Sequence, residues 1–151
     1  MIGRTRSRRL GASLAGAVLV LAIAGCTVGT TSIPAGQGVA GIECTAGPNP
    51  AGLWIPGPGA TRVRFEVLSS DATQPLRAFL FASWEDSPSF GTVWDGTKST
   101  GAKFLDVLPS RELPPLVIVT VNGSNSQTIN VKWAFTALDA NGKDVGLTCT
   151  G

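Results

Sequence analysis

The chain has 151 residues, 43% hydrophobic and 15% charged, which leaves room for one globular domain with a modest core once its N-terminal segment is set aside. Four of its twelve basic residues, Arg4, Arg6, Arg8 and Arg9, precede the first apolar run. Without them eight basic residues face ten acidic ones, and such a body has no basic stripe for a nucleic-acid backbone to follow. There is no histidine and no tyrosine, so histidine triads, imidazole ligands and phenolic acids are excluded. Three cysteines are a poor match to zinc sites, which draw four ligands from Cys and His or three plus a water, and no metal or other cofactor is expected.

In chain order, Met1–Arg9 carries four arginines and no acid, and Leu10–Ala24 is wholly uncharged, the layout of a signal peptide. A run of about fifteen residues falls short of the ~20 that a helix needs to cross ~30 Å of hydrocarbon, so a permanent transmembrane helix is not expected. Directly after it stands Ile23-Ala24-Gly25-Cys26. This segment resembles the lipobox of bacterial lipoproteins, although leucine is commoner where Ile23 stands. The resemblance is confined to the N-terminal segment. It implies diacylglyceryl transfer to Cys26 and cleavage between Gly25 and Cys26, which leaves a lipid-bearing cysteine at the mature N-terminus. Two acyl chains hold a protein on a bilayer stably, whereas one does so only marginally. Ser7-Arg8-Arg9-Leu10 is similar to a twin-arginine export signal, but Gly11 stands where that pattern favours a bulky apolar residue. The expected location is extracytoplasmic, on a cell membrane through the lipid.

From Thr27 to Gly41 the chain is uncharged and has no apolar period, and it reads as a flexible tether. The expected organisation is a signal peptide over 1–25, a lipidated cysteine and linker over 26–42, and a domain over 43–151. With Cys26 given to lipid, Cys44 and Cys149 form an even pair in an oxidising compartment and are expected to be disulfide-bonded, tying the two ends of the domain together.

Within the domain, Val63, Phe65 and Val67 alternate with Arg62, Arg64 and Glu66, the mark of a half-buried strand. Leu76–Trp84 and Leu116–Val121 are apolar on both faces and read as central strands. Alternation returns in Ile129, Val131, Trp133, Phe135 and Ala137, which makes Trp133 a core ring. Asn141-Gly142 reads as a two-residue hairpin turn leading into the strand that carries Cys149, and Asp95-Gly96 and Asn122-Gly123 read as further turns. No stretch keeps a 3.6-residue period. The expectation is an all-β fold, a single antiparallel β-sandwich of seven or eight strands. In pattern alone it resembles the immunoglobulin-like class, with the disulfide placed differently.

Few residues suggest chemistry. Asp139-Ala140-Asn141-Gly142-Lys143-Asp144 has the acidity of a calcium loop, but its glycine is misplaced and no bidentate Glu follows, so it is read as a turn. Glu85 and Asp86 are adjacent, point to opposite faces of any strand, and cannot act together as acid and base. Asn122-Gly123-Ser124 matches a glycosylation sequon and is given no role. Trp54, Trp84 and Trp94 are the candidate ligand or partner surface, because exposed aromatic planes stack on sugars or on a partner's apolar groups. The functional expectation is a lipid-anchored envelope protein whose non-catalytic domain binds a protein or an envelope component. The alternative is a carbohydrate- or cell-wall-binding module, followed by a small secreted enzyme.

Overall fold

The structure is a computed structural model that describes residues 27–44, 52–82, 89–108 and 125–150. The expected signal segment with Cys26, the expected Leu116–Val121 strand, the expected Asn122-Gly123 turn with its sequon, and Trp84, Glu85 and Asp86 lie outside the described residues. Eight strands and no helix make up what is described: β1 (Thr27–Ile33), β2 (Leu53–Pro56), β3 (Arg62–Ser70), β4 (Leu76–Leu80), β5 (Ser89–Trp94), β6 (Lys103–Asp106), β7 (Ile129–Leu138) and β8 (Leu147–Thr150). All pairings are antiparallel. They give a four-stranded sheet in the order β1-β7-β3-β6 and two pairs, β2-β8 and β4-β5.

The alternation in β3 is realised as read: Val63, Phe65 and Val67 are fully buried while Arg62 is exposed. In β7, Val131, Trp133, Phe135 and Ala137 join the same buried cluster. That cluster also takes Ile33 from β1, Trp54 from β2, Leu76 and Leu80 from β4, Val93 from β5, Leu105 from β6 and Leu147 from β8, so the three sheets share one core.

Three expectations need correction. The stretch beginning at Thr27 is not a tether over its first half, since Thr27–Ile33 forms β1 and pairs residue for residue with Phe135–Ile129. Thr, Val and Ile suit an extended backbone. Gly29 supplies the rest of the explanation, because it faces Trp133 in register and a Cβ there would collide with the indole ring. Residues 27–33 therefore belong to the same sheet as β7, ahead of the expected domain start at 43. Second, β4 is no central strand in the described structure: its one partner is β5, and Arg77 is exposed between buried Leu76 and Ala78. Third, the turn at Asn141-Gly142 does not launch a long hairpin. The Asp139 carboxylate accepts bonds from the amides of Asn141 and Lys143, Gly142 takes φ +78°, and Leu138 bridges Asp144. The chain then turns at Gly146, φ +86°, and β8 pairs with β2 instead of returning along β7.

The expected disulfide is present. Cys44 and Cys149 are bonded with their Cα atoms 5.3 Å apart, and Cys149 lies opposite Trp54 in the β2-β8 pair.

Candidate functional site

Two of the three candidate surface tryptophans are core residues. Trp54 is 4% exposed and meets Trp133 edge-on at 6.1 Å and Phe135 at 5.3 Å. Trp94 is 6% exposed and donates its indole N–H to the carbonyl of Ala72 at 3.3 Å. Its position before a turn suggested a wet side chain, and a β-bulge explains the difference. Leu76 pairs with Trp94 but Arg77 pairs with Thr92, so Val93 is the extra residue and both Val93 and Trp94 turn inward. Strict alternation would have put one of them outside. Trp84 lies outside the described residues.

Among the described residues the exposed aromatic rings belong instead to phenylalanines. Phe90 is 56% exposed, pairs across the strands with Phe79, and meets that ring edge-on at 6.4 Å. The Arg77 guanidinium lies over the Phe90 ring at 5.5 Å. Alternation places Arg77, Phe79, Phe90 and Thr92 together on the outward side of the β4-β5 pair. A second such pair, Arg62 over Phe104 at 5.0 Å, stands on the outward face of β3 and β6. The signal was present in the sequence: Phe90 has the parity of Thr92, and Phe79 that of Arg77. Arginine is enriched among the energetic anchors of protein interfaces, phenylalanine is enriched at their cores, and a guanidinium over a ring adds a cation–π attraction.

Two clefts also lie among the described residues. One, of about 540 Å³, runs beside β1 between Thr27, Thr31, Glu43, Trp54 and Trp133. Trp133 donates its indole N–H to the Thr31 hydroxyl at 3.0 Å, whereas the buried indole nitrogen of Trp54 has no hydrogen-bond partner among the described residues. The other, of about 220 Å³, lies at the opposite end of the sheet and is lined by Asp71, Thr73, Gln74, Asn125 and Gln127. Its walls are braced from within. Asp71 accepts from the amide and side-chain nitrogens of Asn130, and the Asn125 carboxamide donates to the carbonyls of Ile33, Pro34 and Gln127.

The Asp95-Gly96 turn is structural. Bonds from the Thr97 hydroxyl and from the amides of Thr97 and Lys98 hold the Asp95 carboxyl below the usual carboxylate range, and Gly96 takes φ +98°. Among the described residues no three Cys, Asp or Glu side chains gather as metal ligands. Compared with protein-family models, curated proteins and solved structures, the chain matches none of them.

Proposed function

We propose that the protein is an extracytoplasmic, lipid-anchored envelope protein whose domain is non-catalytic and binds another protein through the outward Arg77, Phe79 and Phe90 face. We read its sheets as the layers of an immunoglobulin-like sandwich, a reading supported by the single core that all three share. The carrying observation is the division of the cysteines. Cys44 and Cys149 are joined, a bond that persists in oxidising compartments, and the remaining Cys26 is the one at the end of the lipobox-like segment. With no histidine or tyrosine in the chain, the commonest general base and a phenolic acid are lacking, which supports binding over catalysis.

Cys26→Ser is expected to abolish incorporation of an alkyne fatty acid and to leave the precursor uncleaved or released from membranes. A labelled, membrane-bound Cys26→Ser protein would refute the anchor.

For the binding face, Phe90→Ala should leave the melting temperature unchanged, because the ring is more than half exposed. Loss of an interface anchor of about 2 kcal/mol should weaken partner capture roughly thirtyfold. Quantitative cross-linking on intact cells reads this directly, and undiminished capture by Phe90→Ala would remove the face from the proposal. The second reading, envelope carbohydrate, is favoured by the carboxamide, hydroxyl and carboxylate lining of the smaller cleft, which matches sugar hydroxyls. Retention on purified cell-wall polymer that Phe90→Ala does not alter would support it.

A further inference from the structure

We infer that the domain rides directly on the bilayer, with the corner made by Thr27, Val28 and the loop 139–146 in the headgroup layer and the Asp71–Asn125 cleft at the far end. This orientation rests on the lipid-anchor reading and adds to it which surface meets the membrane.

The starting observation is the position of β1. Its first residue, Thr27, is joined to Cys26 by one peptide unit, about 3.8 Å between Cα atoms. Thr27 has little slack, for it pairs with Phe135 and donates its hydroxyl to the Leu147 carbonyl at 2.8 Å. No flexible stretch on the domain side of Cys26 is then long enough to lift the body off its lipid.

The second observation is an overhang. β7 continues past Phe135 to Leu138, three further residues or about 10 Å at the usual strand rise. The loop 139–146 lies beyond that. The turn after β2 reinforces the same end, with the Gly57 amide donating to the Gly146 carbonyl at 2.7 Å and the Thr61 amide to the Leu138 carbonyl at 2.8 Å. This braced end therefore reaches farther than the residue next to the anchor, and acyl chains held in hydrocarbon draw it against the headgroups. Its composition suits a polar interface and not the hydrocarbon: Lys143 stands with Asp139 and Asp144, Val145 packs against the core, and Val28, the described apolar side chain next to the anchor, is half exposed. Along β1 in the other direction, Ile33 lies about 20 Å from Thr27 at the same rise, which carries the polar cleft clear of the surface.

The test uses the lipidated protein extracted from membranes, with a bimane label on Asn141→Cys in the loop or on Gln37→Cys, an exposed residue at the far end. The proteins are reconstituted into phosphatidylcholine vesicles that carry a nitroxide on the headgroup. Several-fold stronger quenching at position 141 than at 37 is expected. Inserting about twelve Gly/Ser residues between Cys26 and Thr27, a coil of roughly 19 Å, should erase the difference. Equal quenching at the two positions in vesicle-bound protein, or a difference that survives the insertion, overturns the orientation and leaves the anchor standing. Protein that lacks acyl mass and fails to float with vesicles overturns the anchor and the orientation together.

Discussion

Trp133→Ala is expected to cost about 3–5 kcal/mol, the range for truncating a large buried aromatic, out of a total stability of roughly 5–15 kcal/mol. The side chain is 5% exposed and meets Trp54 and Phe65. It also donates to Thr31 and covers Gly29, so the variant loses packing on β2 and β3 and loosens β1 as well. Trp94→Ala should fall in a similar range, since its ring is equally buried and its N–H satisfies the Ala72 carbonyl. Urea melts of both variants against the parent supply the check. A Trp94→Ala protein as stable as the parent would contradict the inward turn at the bulge.

Removing the disulfide should be comparably damaging. Cys44 and Cys149 are 105 positions apart, and in the chain-entropy account closing a loop of that size in the unfolded state is worth about 4–5 kcal/mol. The bond also fixes β8 beside β2, a strand otherwise held by four residue pairs, by Leu147 in the core and by the Thr27 hydroxyl on the Leu147 carbonyl. The Cys44→Ala, Cys149→Ala double variant is therefore expected to unfold at much lower denaturant than the oxidised parent, and the reduced parent should follow it. Coincident midpoints for oxidised and reduced protein would contradict this.

Much of the fold was legible wherever side chains alternate without interruption. β3 and β7 were read in the correct phase because Arg62, Arg64 and Glu66 mark one face and Val131, Trp133 and Phe135 the other. The disulfide followed from parity of the cysteine count. The failures have local physical causes. β1 carries no charge to mark its outer face, and its pairing depends on a glycine whose use is to admit a ring more than a hundred residues away, which no local pattern announces. Trp94 was misplaced because a bulge shifts the phase by one residue, and β-bulges leave little trace in a single sequence. Phe90 carries only a parity signal, shared with Thr92 and opposite Phe79 and Arg77, and an exposed ring breaks the rule that large apolar side chains turn inward.

The pairing of β1 with β7 also sets an order in time. The ribosome makes Thr27–Ile33 about a hundred residues before its partner Ile129–Leu138, and contacts such as Thr31 with Trp133 span 102 positions. Until β7 emerges, the first strand lacks the edge it pairs with in the fold, and its amides and carbonyls are left open to pairing with other chains. Folds dominated by such distant pairings acquire structure in milliseconds to seconds, so β1 closes into the sheet only once β7 has been made, however early β1 itself emerges.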